Sequence, residues 1–107
     1  MWVDFSGLHR DAGYSVTSVG VSCAEKRMAE LDDETECKSA ARKVVPNSSY
    51  GFAHTMRARP PGCYYRDPFY HPYPGYILWN KYKNGKTCRS CISICKGEIF
   101  NSLYPIL

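Results

Sequence analysis

Acidic residues are scarce in the later part of this 107-residue chain, where residues 37–107 contain only Asp67 and Glu98. A hydrolase that works with paired carboxylates needs two such groups close together, so the sequence disfavours this class. The three histidines are scattered, no nucleophile lies in a recognisable elbow or beside a visible base, and a glycine-rich phosphate loop is also lacking. We therefore predict that the protein is not an enzyme, with no catalytic residues and no cofactor.

Long apolar runs are lacking as well. No segment approaches the roughly 18 consecutive apolar residues of a transmembrane helix, so the sequence predicts no membrane span. The first residues, Met1-Trp-Val-Asp-Phe-Ser6, do not combine a basic start with an apolar stretch, and no signal peptide is visible. Because the cysteines favour secretion, we expect a mature or recombinant form of an extracellular protein.

Cysteine, by contrast, is abundant. Six cysteines in so short a chain form an even set, which is typical of a small secreted domain with three disulfides. Six cysteines allow fifteen connectivities. We favour the one that links a helix to the sheet, closes the two ends of the domain and leaves one local pair: Cys37–Cys63, Cys23–Cys95 and Cys88–Cys91.

Three other interpretations of the cysteines stay open. The run Cys88-x-x-Cys91-x-x-x-Cys95, with Cys63 or a histidine, would provide four zinc ligands, although zinc modules usually present two separated cysteine pairs. A redox-active pair is expected where a helix opens after a strand, in surroundings that lower the thiol pKa, and the residues around Cys88 do not show this pattern. Structural thiols in a cytosolic protein are the third alternative. We predict disulfides and no metal site.

The clearest local pattern predicts one helix that begins at Asp33. Asp33-Glu-Thr-Glu36 has the arrangement of a capping box, and its acidic side chains suit the first turn of a helix. Pro46 ends the helix. The apolar residues between these two signals recur at helical spacing and form one stripe: Cys37, Ala40, Ala41, Val44 and Val45.

Alternating and β-branched residues predict strands over 14–23, 50–56, 63–66 and 75–80, the last two paired antiparallel. Residues 24–31 fit either a helical turn or a short strand, residues 87–96 fit a strand or a half-turn knot, and Asn84-Gly85 marks a tight turn. The predicted fold class is α+β: one helix packed on a small antiparallel sheet and stapled by disulfides. Residues 14–98 form this domain, between an N-terminal arm (1–13) and an apolar C-terminal arm (99–107).

Aromatic residues are concentrated between Cys63 and Tyr82, where eight of twenty residues are aromatic. Strand alternation predicts that Tyr65, Ile77 and Trp79 belong to the core. The proline-rich segment 67–75 between the two strands is predicted to protrude as a loop. The predicted binding residues are the aromatic side chains of this loop and the arginine before it: Phe69, Tyr70, Tyr73 and Arg66.

Both chain ends are apolar outside the cysteine-framed body. Such residues are costly to leave in water, and docking on a neighbouring molecule by strand addition would bury them. Folding back on their own domain is the alternative. The predicted assembly residues are Trp2, Phe5, Ile99, Phe100, Leu103, Tyr104, Ile106 and Leu107.

The net charge of +4 is unevenly distributed. Residues 1–56 carry six basic and eight acidic residues, whereas residues 57–107 carry eight basic and two acidic residues. This asymmetry would steer acidic partners toward the second half. Basic residues among aromatics also suit single-stranded nucleic acid, but a secreted disulfide protein is not expected to bind it. Asn47-Ser-Ser49 is a glycosylation acceptor in a predicted loop.

Four short motifs carry a resemblance: Glu36-Cys-Lys-Ser-Ala-Ala41, Pro60-Pro-Gly-Cys-Tyr-Tyr65, Tyr76-Ile-Leu-Trp-Asn80 and Ile94-Cys95. Their succession resembles small cysteine-containing modules of unassigned function in extracellular proteins of algae and other single-celled eukaryotes, over residues 20–96. More distantly, a helix bonded to a sheet is similar to apple/PAN adhesion domains, whose cysteine spacing this chain does not reproduce. The resemblance implies an extracellular module without catalytic residues.

These observations together predict a non-enzymatic, extracellular structural or interaction protein. Its expected partners are copies of itself, in an oligomer or filament that docks through the apolar termini, or an extracellular matrix protein or glycan. One alternative is a carbohydrate-binding module that uses the loop aromatics. Another is a secreted cationic toxin or inhibitor.

Overall fold

The computed structural model describes residues 10–11, 13–66 and 75–97. Within these ranges the chain forms seven strands, one α-helix and one turn of 3-10 helix over Ala24–Lys26. The α-helix is α1 (Glu34–Val44). The strands are β1 (Arg10–Asp11), β2 (Tyr14–Val16), β3 (Ala29–Glu30), β4 (Ser49–His54), β5 (Gly62–Arg66), β6 (Tyr76–Asn80) and β7 (Cys91–Lys96).

The predicted helix is confirmed. Asp33 is its N-cap, and the Asp33 side chain accepts a hydrogen bond of 2.8 Å from the backbone N–H of Glu36. The Glu36 carboxylate in turn accepts from the backbone N–H of Asp32, one residue earlier than in a strict capping box. The buried positions Cys37, Ala40, Ala41 and Val44 are the predicted apolar stripe. In the described part of the chain, no helix has the length and apolar character needed to cross a bilayer.

The sheet has the strand order β1-β2-β7-β5-β6-β4, and β3 also pairs with β7. β5 and β6 pair antiparallel, as predicted, with Cys63 opposite Trp79 and Tyr65 opposite Ile77. The prediction of a purely antiparallel sheet is wrong at one place, because β4 pairs parallel to β6. A hairpin would have placed β4 beside β5, but the segment 55–61 passes the end of β6 instead. The fold class, α+β with one helix on a disulfide-stapled sheet, is confirmed.

Several predicted boundaries differ from the structure. The strand predicted over 14–23 ends at Val16, and a turn follows at Val19–Gly20, where Gly20 has a φ of +79°. The segment 24–31 contains both of the predicted alternatives, a 3-10 turn and then β3. Part of the predicted N-terminal arm, Arg10–Asp11, pairs with β2 as β1. Residues 98–107 of the C-terminal region lie outside the described residues.

The helix packs on one side of the sheet, which we call the helix face. Here alternate strand residues meet the stripe of α1 in the main core, including Ile77, Trp79 and Ile94. Tyr65, predicted to be core, packs against this cluster but is only partly buried. Tyrosines of β2 and β4 hold the first turn of α1 against the sheet. The hydroxyl of Tyr14 donates to Glu36 at 2.8 Å, and the hydroxyl of Tyr50 donates to Glu34.

Three disulfides join the pairs that the sequence analysis favours: Cys37–Cys63, Cys23–Cys95 and Cys88–Cys91. Cys37–Cys63 links α1 to β5 on the helix face. The other two lie on the opposite side of the sheet, where Cys23 and Cys95 pack with Met28 and where Cys91 packs with Tyr64. We call this second side the open face, because the one α-helix of the described residues packs on the other side.

Candidate functional site

The open face contains a groove of about 420 Å³ over β4, β5 and β6. It is lined by alternate residues of these strands and by the segment that follows β4. The residues that define it are Phe52, His54, Arg59, Tyr64, Arg66 and Tyr76, with Met56 and Leu78 beside them.

Tyr64 forms the floor of the groove. Its side chain is fully buried and packs with Leu78 and Cys91. Its hydroxyl lies 2.8 Å from Nε2 of His54, and the two rings stack with centroids 5.8 Å apart. Burial raises the pKa of Tyr64 to about 12, so the hydroxyl stays protonated at neutral pH. Burial also lowers the pKa of His54, as do the nearby charges of Arg59 and Arg66.

Exposed apolar side chains form the rim. In the described part of the chain, four large hydrophobic residues are exposed: Phe52 (54%), Val19 (40%), Met56 (39%) and Tyr76 (38%). Three of these four line the groove. The Phe52 ring also meets the His54 ring edge-on, with centroids 5.4 Å apart. Such a concentration of exposed apolar surface at one concave place is typical of a binding site.

Two arginines meet in the same groove. Arg66 extends from the end of β5, and its Nε atom is buried without a hydrogen-bond partner among the described residues. Burial lowers the pKa of the Arg66 guanidinium, and the charge of Arg59 lowers it further. The described residues from Cys37 onward include no Asp or Glu. The groove therefore holds two close positive charges with no carboxylate to neutralise them in this part of the chain.

Asn80 fixes the position of the segment that carries Arg59. Its side-chain Nδ2 donates to the carbonyl oxygens of Met56, Arg59 and Pro60 at 2.8, 3.1 and 3.0 Å. Its Oδ1 accepts from the backbone N–H groups of Met56 and Tyr82 at 2.9 and 3.1 Å. Because Asn80 is itself buried, these bonds hold the segment 55–61 across the end of β6.

Gly85 supports the same segment from the other side. A Cβ atom added at Gly85 would lie 2.2 Å from the carbonyl oxygen of Arg59, which is too close for any other residue. The predicted turn at Asn84-Gly85 is present, with the Gly85 N–H donating to the carbonyl of Tyr82. The turn and the arginine segment therefore form one packed unit beside the groove.

The predicted site residues have different outcomes. Arg66 lies in the groove, but Phe69, Tyr70 and Tyr73 lie outside the described residues, although the chain enters and leaves their segment at groove residues Arg66 and Tyr76. All eight predicted assembly residues at the chain ends also lie outside. Asn47 is exposed in the turn after α1, where a glycosylation acceptor is accessible.

Sequence reasoning missed Phe52, His54 and Tyr64 as groove residues. The alternation of Phe52 and His54 was visible, but the strand pairing that brings them beside Tyr64 was not. Across the described ranges, no group of three or more His, Cys, Asp or Glu side chains is arranged to hold a metal ion. The groove is thus suited to hold a ligand by ring contacts and by charge.

Another cavity, of about 450 Å³, lies on the helix side between β2, the end of α1 and β7. Its lining includes Val16, Val45 and Ile92, and its charged member is Lys26. It does not bring two like charges together. We therefore take the groove on the open face as the candidate site.

Comparisons with protein-family models, with curated proteins and with solved structures found no match. The resemblance to extracellular cysteine-containing modules stays a prediction. The site is interpreted from its own geometry.

Proposed function

We propose that this protein is a non-enzymatic extracellular module that binds carbohydrate in the groove of the open face. The observation that carries the proposal is that three of the four exposed large hydrophobic side chains in the described ranges line one groove. Sugar rings present flat faces of C–H groups, which pack well on aromatic side chains such as Phe52 and Tyr76. The sugar hydroxyls accept hydrogen bonds from arginine.

The rest of the molecule is compatible with a binding role. Burial raises the pKa of Tyr64 to about 12 and favours the neutral form of His54, so both side chains are suited to neutral hydrogen bonding in the groove. The three disulfides suit an oxidising, extracellular environment. A rigid cystine-linked sheet also keeps the groove in one shape, which reduces the entropy lost on binding.

The test compares two exposed apolar residues. Phe52→Ala removes a groove residue, and Val19→Ala removes another exposed apolar residue that does not line the groove. We expect Phe52→Ala to weaken retention on immobilised polysaccharides roughly five- to tenfold, as loss of one ring contact does, and Val19→Ala to leave it unchanged. Retention that is equal for wild type and both variants would contradict the proposal.

Self-association is a second candidate function, favoured by a specific observation. β4 is the last strand of the sheet order and pairs with β6 alone among the described strands. An open strand edge is a template for strand addition. We propose that the apolar residues 99–107 of a second copy add to this edge, which would generate an oligomer or filament.

Light scattering of the native protein at increasing concentration tests the self-association proposal. We expect oligomers that disappear when residues 99–107 are deleted. A matched control replaces Lys83, an exposed residue outside the strands, and leaves assembly intact. A strict monomer at high concentration, unaffected by the deletion, would rule self-association out.

A further inference from the structure

We propose that the groove binds an acidic glycan, and that Arg59 and Arg66 together hold a sulfate or carboxylate group of its sugar units. The inference rests on the proposed carbohydrate function and adds the chemical class of the ligand. Its basis is the arrangement of charge in the groove rather than the apolar rim.

The first argument is the proximity of two like charges. Arg59 and Arg66 both line the groove and both lie close enough to Tyr64 and His54 to influence them. Two guanidinium groups held close together repel each other, and burial increases the cost because it removes water. An anion placed between them removes this repulsion, since arginine binds carboxylate and sulfate-like groups with paired N–H donors.

The second argument is the unsatisfied donor. Nε of Arg66 is buried and has no hydrogen-bond partner among the described residues. Buried donors are paired in the great majority of proteins, and an exception calls for an explanation such as a ligand. Nη1 of Arg59 donates to the carbonyl oxygen of Ala58 at 2.9 Å, and the Arg59 guanidinium also forms a hydrogen bond with the Tyr64 side chain. These contacts orient the guanidinium, whose five N–H donors exceed them.

The third argument is the absence of a competing internal anion in the described ranges. From Cys37 to Arg66 and from Gly75 to Gly97 the chain contains no Asp or Glu. The only described ion pairs join Lys96 to Asp32 and Glu36, near the start of α1. No described ion pair therefore occupies Arg59 or Arg66, and an anionic ligand group would meet no competing carboxylate within these ranges.

The basic surface continues beyond the groove. The backbone N–H of Lys86 donates to the carbonyl of Arg57 at 3.1 Å, which places two further basic residues side by side. Arg57 and Lys86 line a shallow depression together with Tyr82. A polymer with repeated negative charges would meet this surface after it enters the groove, so a polyanionic chain fits better than a single small anion.

The experiment uses the native protein and two pairs of probes. Dextran and dextran sulfate share a backbone and differ in charge, while methyl-esterified and free polygalacturonate compare a neutral sugar with its carboxylate. We expect binding to both charged members to be at least roughly tenfold tighter than to the neutral members, as a charge-assisted contact provides.

Variants then locate the effect. Arg59→Gln and Arg66→Gln should each weaken binding to the charged probes about tenfold, and Arg42→Gln should not, because Arg42 is an exposed residue on α1. Arg66→Lys keeps the charge but loses the paired donors, so it should fall between wild type and Arg66→Gln. This milder variant also keeps the test valid if Arg66→Gln folds poorly.

Each contrary outcome has a distinct meaning. Equal binding of charged and neutral probes, with no effect of Arg66→Gln, would overturn the acidic-ligand inference and leave the carbohydrate proposal standing. No binding of any probe, together with no effect of Phe52→Ala, would overturn the carbohydrate proposal itself. If Arg42→Gln weakened binding as much as Arg59→Gln does, the attraction would depend on net charge alone. If poly-glutamate bound more tightly than the charged glycan probes, the ligand would be an acidic polypeptide. Either result would overturn the inference.

Discussion

The two faces of the sheet are built from the same strands but differ in chemistry. On the helix face, Ile77 and Trp79 of β6 are buried under α1. On the open face, the neighbouring residues Tyr76 and Leu78 line a groove that is open to solvent. Because strand side chains alternate between the two sides, one strand can contribute to stability with one set of residues and to binding with the other. Under the proposed binding function, this small domain separates the two tasks by face.

Polar groups show the same division. On the helix face, Tyr14 and Tyr50 donate to the first turn of α1 at the edge of the described core. The open face has polar groups within the sheet itself, including Asn80, Ser93 and the hydroxyl of Tyr64. Buried polar groups must be satisfied, so they restrict the shape of their surroundings more than apolar packing does. The open face is therefore suited to hold a groove in a defined shape.

Between the disulfide of the helix face and the local disulfide beside the groove, the larger effect should come from the first. The disulfide Cys37–Cys63 closes a loop of 26 residues, and its removal in Cys37→Ala/Cys63→Ala should lower the free energy of unfolding by about 3–4 kcal/mol. The double variant Cys88→Ala/Cys91→Ala on the open face removes a link across 3 residues, for which about 1–2 kcal/mol is expected.

Denaturant unfolding of both double variants against wild type measures this difference. A larger loss for Cys88→Ala/Cys91→Ala than for Cys37→Ala/Cys63→Ala would contradict the expected dependence of disulfide stabilisation on loop length. Polysaccharide binding by the two double variants is a second measurement that distinguishes them, because Cys91 packs with Tyr64 below the groove and Cys37 does not.

Local signals in the sequence were sufficient for much of the helix face. Asp33 and Pro46 delimit α1, its stripe identifies the buried side, and Pro60-Pro-Gly62 leads into the strand that pairs with β6. These features depend on residues close in the chain, so the sequence reveals them. Placing Cys37 on the buried stripe also indicated a disulfide from α1 to the sheet, whereas the other two pairs were a choice among the remaining connectivities.

The groove could not be predicted in the same way, because it depends on contacts between distant segments. Tyr64 and Tyr65 are neighbouring residues of the same type, yet Tyr64 is fully buried and Tyr65 is not. Tyr64 is packed against Cys88 and Cys91, which lie far along the chain. The parallel pairing of β4 with β6 likewise depends on the side-chain bonds of Asn80 to segment 55–61, which no local pattern indicates.

A smaller effect is expected at Asn80, on the open face. Asn80→Ala removes the five hydrogen bonds of this side chain to Met56, Arg59, Pro60 and Tyr82, and leaves several backbone groups without a partner. We expect a loss of about 2–3 kcal/mol in unfolding free energy. Because Arg59 is displaced, binding to the acidic probe should fall further than the stability loss explains.

The matched control for Asn80 is Asn84→Ala, which changes an exposed asparagine in the neighbouring turn. It should alter stability by less than about 0.5 kcal/mol, as for most surface changes. If Asn80→Ala lowered stability while acidic-probe affinity stayed at the wild-type value, Asn80 would be structural only. The buried polar side chain of Asn80 would then not determine the shape of the groove on the open face.

The smallest effect is a pH dependence that should arise at His54. Burial, with the charges of Arg59 and Arg66, lowers the pKa of His54 in the folded protein, while in the unfolded chain it is near 6.5. As the pH falls from about 7 to 5, the unfolded state takes up a proton more readily than the folded state, so stability should decrease. Unfolding midpoints at pH 5, 6 and 7 measure this slope.

His54→Gln isolates this contribution, because glutamine does not titrate but can still form a hydrogen bond with the Tyr64 hydroxyl. The variant should show a smaller decrease in stability between pH 7 and pH 5 than wild type does. The remaining decrease belongs to groups such as Glu25, whose pKa is lowered by its hydrogen bonds with Ser22. An unchanged slope would mean that acid sensitivity lies outside the groove, and that His54 is accessible enough to be protonated without unfolding the open face.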